Sequence, residues 1–307
     1  MTAVESRRFS AREQGLAAGA AAYAIWGVFP LYFKALAFAP PVEILAHRVV
    51  WALAVLLPVV RGQGLFGEVR AAIRPGRSLW FLTASALLIA TNWLVYIYAV
   101  VTGRILEGSF GYFINPLVSV LLGVFLLGER PDRPAWLAVG LAAAGVVYMT
   151  IAAGELPWIA LVIALSFGGY GMLRKIAPVG AVAGLTVETL LLFPLACAYL
   201  AFSGLTGGLA FGSGGRGRDL LLVLAGPLTV LPLLLFTGAA RRLPLSVLGL
   251  LQYLTPTIQF GVGAFVYGER LAGPRVVGFG CIWTGLALLI VRNLRRAPRI
   301  APENRGG

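Results

Sequence analysis

The sequence predicts an all-α polytopic membrane protein: ten transmembrane helices in two inverted five-helix repeats. Three observations predict it. The first is composition. Of 307 residues, 59% are apolar and 12% charged, where a soluble domain carries about 25% charged residues. A spanning helix needs roughly 20 apolar residues, and the chain supplies ten such runs. The second is a repeat. GYFINPLVSVLLGVFLLGERPDRP at 111–134 returns, without a gap, as LQYLTPTIQFGVGAFVYGERLAGP at 251–274. Pro116/Pro256, Gly123/Gly263, Phe125/Phe265, Gly128/Gly268, Glu129/Glu269, Arg130/Arg270 and Pro134/Pro274 are identical across it. The third is the placement of basic residues, which lie between apolar runs rather than in one stripe.

The elements follow in order. A short tail (1–14) carries Arg7, Arg8 and Arg12. The run 15–36 is too long for a typical signal h-region and reads as a retained first span. Spans 41–60, 79–101, 106–128 and 134–152 complete a first repeat, 15–152. Spans 156–174, 180–202, 219–240, 244–267 and 275–292 form the second, 153–292, before a basic tail, 293–307. Each span is helical because lipid offers no partner to an unpaired backbone group. Two connections are longer: 61–78, rich in Arg, and 203–218, whose glycines read as a flexible loop.

Placing the N-terminus in the cytoplasm puts 18 of the 25 Lys and Arg inside, 6 outside and Arg48 within a span. That bias predicts both termini inside. Gly140 and Gly145 recur as Gly280 and Gly285, and Gly27 and Lys34 recur as Gly168 and Lys175. Five spans per repeat is an odd number, so the second repeat enters from the opposite side. Secondary transporters widely use this arrangement, with the substrate near midplane between the repeats.

Polar groups inside the spans are costly and mark candidate sites. Arg48 and Glu188 each sit some 10–12 Å along a helix from its end. A charge-responsive Arg48–Glu188 pair across the repeats is one reading; a structural pair, or snorkelling by Arg48, is the other. His47 is the single histidine and a candidate for coupling, with Glu43 one turn before it. Asn92 and Tyr96 share a face of span 3, either lining a cavity or bonding between helices. Tyr112 and Asn115 on span 4, Trp26 on span 1, and Gln252 and Tyr253 on span 9 complete the candidate pathway. Lys34 and Lys175, the only lysines, stand at matched span ends as snorkelling groups or a paired gate. The doubled Gly-Glu-Arg reads as a helix-hairpin corner, its Glu facing the positive end of the following helix. Small residues in spans 5 and 10 favour close packing, at the periphery or in a homodimer.

Cys197 and Cys281 lie in apolar runs and read as packing residues. No Walker A, HExxH, GxSxG or CxxC pattern occurs. The G-x-G-x-x-G at 212–217 lacks a preceding strand. No cofactor, metal or nucleic-acid partner is expected; the partners are the bilayer and a small-molecule substrate. An intramembrane enzyme would need a nucleophile–base set or metal cluster that one His and two isolated Cys do not supply. A non-transporting scaffold is the remaining alternative.

YAIWGVFPLYFKAL (23–36), EILAHRVVW (43–51), NWLVYIYAV (92–100), EGSFGYFINPLVSVLLGVFLLGER (107–130) and LGLLQYLTPTIQF (248–260) together resemble the RarD-type permeases. These belong to the EamA group of the drug/metabolite transporter superfamily, and the likeness covers about residues 15–292. The resemblance implies a bacterial inner-membrane permease that transports a small molecule by alternating access; the reading adopted is a small amphipathic metabolite or drug, such as a chloramphenicol-like compound, with efflux favoured. The small four-helix exporters of that superfamily carry a coupling Glu in their first helix; span 1 here has Tyr23 and Trp26 in its middle instead.

Overall fold

The computed structural model describes residues 10–128, 130, 132–240, 242–243, 247–248, 251–271 and 273–296. They are helical, with no strand among them. The helices are α1 (Ala11–Gly27), α2 (Phe29–Ala35), α3 (Pro41–Gly62), α4 (Phe66–Ala72), α5 (Arg77–Val101), α6 (Ile105–Leu127), α7 (Arg133–Ala153), α8 (Trp158–Ile176), α9 (Ala181–Leu205) and α10 (Arg216–Ala240). They continue with α11 (Leu254–Gly261), a π-helical turn (Val262–Val266) and α12 (Pro274–Arg296). Among the described residues nine helices are long and apolar enough to cross a membrane, α1 and α2 counting as one; Leu254–Val266 is shorter. The expected ninth span, 244–267, lies partly outside the described residues. Leu205 and Phe265 are 88% and 85% exposed, which places bulky apolar groups outward, as a lipid solvent permits.

Local chemistry sets the helix ends. Ser10 and Glu13 form a capping box at α1: the Glu13 N–H donates to Ser10 Oγ at 3.2 Å, and the Ser10 N–H to Glu13 Oε2 at 2.8 Å. Asp132 caps α7, accepting from the Ala135 N–H at 3.4 Å. The glycines of both Gly-Glu-Arg corners are left-handed, Gly128 at φ 65° and Gly268 at φ 64°, and each stops its helix where a side chain would be strained.

Both long connections are ordered by carboxylates, which corrects the flexible reading of 203–218. Glu43, fully buried, accepts from the backbone N–H groups of Ala210 (2.9 and 3.0 Å) and Phe211 (2.9 Å). Asp219 accepts from the Gly212 N–H at 2.7 Å. In 61–78, α4 forms, and its Glu68 accepts from the Gly180 N–H at the start of α9, 2.6 Å.

The bundle packs α7 on α12, α6 and α5 on α8, α3 on α10 and α9, and α1 on α10 and α11. Glycine brings backbones close. A methyl on Gly111 would lie 2.8 Å from the Ala160 carbonyl oxygen on α8, and one on Gly285 would lie 2.9 Å from the Ala138 carbonyl. The small residues of α7 and α12 therefore pack against each other within the chain: Gly145 meets Cys281 and Gly278. The pair touches the rest of the bundle mainly through α6, in keeping with the expected peripheral position. Phe110, Phe113 and Phe279, with Phe260 and Trp283 against them, fill the core between α6, α11 and α12.

Replacing Gly111 by Leu should force α6 from α8 and lower thermal stability by about 3 kcal/mol. Gly140, with nothing near its missing side chain, should accept Ala at no cost. Size-exclusion profiles after graded heating in detergent compare the two, and equal losses would refute the close-approach argument.

Candidate functional site

The candidate residues fall into an outer pair of clasps and a central polar and aromatic column. Along α3, Glu43, His47 and Arg48 are all buried. His47 Nδ1 accepts from Trp51 Nε1 at 3.2 Å, its Nε2 lies 3.9 Å from Glu43 Oε1, and its ring stacks on Phe211 at 4.9 Å. Arg48 reaches α10, donating from Nε to Thr229 Oγ1 at 2.8 Å, and lies 4.0 Å above the Trp93 ring.

Glu188 on α9 has different partners. Ser85 Oγ of α5 donates to its Oε1 in a short bond, Tyr170 OH lies 3.5 Å from Oε2, and Arg174 Nε lies 3.7 Å from Oε1. The Arg48–Glu188 pair read from the sequence is thus replaced by two separate clusters. Arg174 was legible only as a topological charge: it lies on α8, and no local spacing joins it to Glu188. Room for it comes from Gly184, whose missing side chain is filled by the guanidinium.

Between the clusters runs a column of rings. Phe33 contacts Tyr96 (6.1 Å between centroids), Tyr96 contacts Tyr112 (5.4 Å), Tyr112 contacts Phe167 (5.7 Å) and Phe167 contacts Tyr170 (6.0 Å). Asn92, fully buried, ties three helices there. Its Nδ2 donates to the Ile163 carbonyl (3.1 Å) and Ser166 Oγ (3.3 Å), and its Oδ1 accepts from Tyr112 OH (2.9 Å). Its amide is engaged between helices on both sides, which is the interhelical one of the two readings that its sequence position offered. The hydroxyl of Tyr96 and Oδ1 of Asn115 are buried without a hydrogen-bond partner.

A cavity of about 370 Å³ opens between α6 and α8, lined by Pro116, Ser119, Gly123, Gly168, Met172 and Lys175. Asn115 borders it, its Oδ1 against Gly168. Organic ligand sites typically measure about 300–1,000 Å³.

Trp26 belongs to the contact of α1 with α11, while Gln252 and Tyr253 lie just before α11. Pro30 has no N–H to donate to the Trp26 carbonyl; Gln259 Nε2 donates to it at 3.1 Å, and Thr255 Oγ1 donates to the Tyr23 carbonyl at 2.8 Å. Trp26 packs on Tyr23 and Phe236. Tyr253 packs on the core around Phe279, and Gln252 is half-buried beside it.

At the end of the bundle opposite the cavity, side chains tie the early and late parts of the chain together. Glu269 accepts from the N–H groups of Ile105 (2.7 Å) and Leu106 (2.8 Å), the first turn of α6. The corner glutamate therefore caps α6 rather than the following helix, correcting the expected partner; Glu129 lies outside the described residues. Burial pushes the Glu269 carboxyl above its ordinary range, opposed by those two backbone donors and by Lys34 and Arg275. Glu107 binds Arg104 (2.8 Å) and Arg275 (3.0 Å). Lys34 Nζ donates to the Val100 carbonyl at 3.3 Å, at the α5 C-terminus, so it stands as a cap as well as an interfacial cation. Among the described residues no cluster of His, Cys, Asp and Glu could hold a metal.

Residues 14–151 match the EamA-like transporter family. An uncharacterized transporter of Pseudomonas aeruginosa is 47% identical over 294 residues, covering 93% of this chain and 97% of that protein. Protein RarD of Streptomyces exfoliatus is 42% identical, covering 93% and 90%. A crystal structure at 20% identity aligns with a TM-score of 0.59, covering 92% of this chain and 99% of the other, which is a likeness of fold.

Replacing Asn92 by Leu should lower stability by about 1–2 kcal/mol, because several interhelical bonds vanish and the Ile163 carbonyl loses a donor. Tyr112→Phe should cost about 1 kcal/mol. Graded thermal unfolding in detergent reads both, and a Tyr112→Phe loss exceeding that of Asn92→Leu would contradict the clasp.

Proposed function

Because the chain belongs to the EamA-like transporter family, as a RarD-type membrane transporter, we propose that it moves a small amphipathic metabolite or drug outward across the bacterial inner membrane by alternating access. The observation that carries this reading is the difference between the two ends of the bundle. The cavity opens where α6 and α8 end beside basic residues, at Lys175, and the positive-inside rule assigns that end to the cytoplasm. At the other end Glu107–Arg275 and Glu269–α6 join distant parts of the chain. A cavity open at the inner end and a closed outer end together form one of the two states that alternating access requires.

Helix pairing supports the inverted repeat. Exchanging each span with the one five later turns the α5–α8 contact into α10–α1, and α6–α8 into α11–α1. It turns α3–α10 into α9–α5 and leaves α3–α9 and α7–α12 unchanged. The polar contacts follow the same exchange: Arg48 meets Thr229 from α3 to α10, and Glu188 meets Ser85 from α9 to α5. On this reading the repeats divide at 15–152 and 153–292 and rock about the ring column. Glu188 with Arg174 is the charge pair that senses the inner state, and Lys175 stands at the inner mouth.

Purified protein in proteoliposomes, loaded with a metabolite extract and followed by mass detection with and without a pH gradient, tests the reading directly. Movement of at least one solute class is expected; if none moves, the chain is not a transporter of small metabolites. Glu188→Gln should reduce flux at least tenfold while the protein still assembles, and unchanged flux removes Glu188 from the mechanism. The outer closure has its own readout. In a chain lacking Cys197 and Cys281, a cysteine at buried Ala99 should react severalfold faster with an impermeant maleimide from outside once Glu269 is Ala. Equal rates would show that the cap does not hold that end shut.

A further inference from the structure

Arg48 poses a problem of charge that the protein alone leaves open. It is 5% exposed and lies well inside α3. In the hydrocarbon region such a charge needs an opposite charge or a full set of acceptors. Its Nε has Thr229, and its face has Trp93 at 4.0 Å, with Phe29 and Phe33 at 5.7 Å. The quadrupole of an indole face attracts a cation but supplies no counter-charge. Among the described residues its two terminal nitrogens make no hydrogen bond and no carboxylate pairs with it. The buried carboxylates on its own helix and on α9, which packs against it, are occupied: Glu43 by the amides of Ala210 and Phe211, Glu188 by Ser85, Tyr170 and Arg174.

A second orphan stands close by. The hydroxyl of Tyr96, 3% exposed, has no partner, and its ring touches Phe33, which also faces Arg48. Tyr32, Tyr96 and Tyr112 all lie within electrostatic reach of the guanidinium. Two of these hydroxyls are already used: Tyr32 OH donates to the Leu221 carbonyl at 2.7 Å and Tyr112 OH to Asn92. The free donors are therefore the outer edge of Arg48 and the hydroxyl of Tyr96, surrounded by rings and without an acceptor.

We propose that Arg48 and Tyr96 form an anion subsite in the transport pathway, and that the substrate is a small amphipathic organic acid whose carboxylate supplies the missing counter-charge. The inference rests on the transporter reading for its setting. A carboxylate accepts from both terminal guanidinium nitrogens in one plane, and the Tyr96 hydroxyl donates to a remaining lone pair. The apolar body of the acid lies along Trp93, Phe33 and Tyr112. Thr229, which accepts from Nε and donates to the Ala225 carbonyl at 2.7 Å, fixes the guanidinium so that its other edge faces the ligand. A neutral amide offers no counter-charge, and an amine of the same shape adds a like charge beside Arg48, so both are rejected.

The test is isothermal titration of the purified full-length protein in detergent with three probes of one shape: 3-phenylpropionate, 3-phenylpropionamide and 3-phenylpropylamine. The acid should bind at least tenfold more tightly than the amide, and the amine should not bind. Arg48→Gln should bring the acid down to the level of the amide, Arg48→Lys should fall between, and Tyr96→Phe should weaken the acid alone, about threefold. Equal binding of acid and amide, no binding of the acid, or an Arg48→Gln protein with unchanged affinity each overturns the subsite. If Arg48→Gln fails to elute as a monodisperse peak, the acid-to-amide ratio of Arg48→Lys decides, and an unchanged ratio counts against it. Flux of the same probes in proteoliposomes separates the two claims. Acid binding without flux counts against transport and leaves the subsite standing. Flux of amide equal to acid, insensitive to Arg48→Lys, removes the subsite and leaves transport standing.

Discussion

A bilayer offers a polar group no solvent to bond with, and most of the specific contacts in this chain answer that constraint. Backbone groups that helix geometry leaves open are closed by side chains from elsewhere. Glu269 accepts from the first turn of α6, Glu68 from the first turn of α9, and Glu43 from the loop at Ala210. Gln259 donates to the Trp26 carbonyl, which Pro30 leaves without its helical donor. Each of these bonds links segments far apart in sequence. The satisfaction of helix ends and the assembly of the bundle are thus one process.

The same constraint separates what was legible in the sequence from what was not. The positions of nine spans followed from runs of apolar residues, because lipid selects for length and hydropathy. The Gly-Glu-Arg corners were legible as helix stops, since glycine after an apolar run signals a left-handed cap. The partner of Glu269 was not, because it is set by where the first turn of α6 arrives in space. Asn92 shows the same limit: its place on a shared face with Tyr96 was readable, whereas its bonds to Ile163 and Ser166 depend on where α8 crosses α5. The loop at 203–218 looked flexible by composition and is ordered by a carboxylate 167 residues away.

Arg48 and Glu188 show how similar positions acquire different chemistry. Each lies on the second long helix of its part of the chain and reaches a hydroxyl on a neighbouring helix, Thr229 or Ser85. Glu188 then finds Arg174, whereas Arg48 finds only rings. The symmetry is in the backbone pairing and the departure is in the charges. That departure gives one cluster an ion pair and leaves the other a cation without a carboxylate.

The packing of α7 against α12 has a consequence for biosynthesis. Gly145 rests on Cys281 and Gly278, so a helix made near the middle of synthesis finds its partner only when the last helix arrives. Ribosomes add about 5–20 residues per second, and the interval is on the order of ten seconds. Throughout it, the glycine-lined face of α7 meets lipid, which neither repels it nor fills it well. A nascent chain in that state is open to pairing with another copy of itself, and prompt delivery of α12 closes that window.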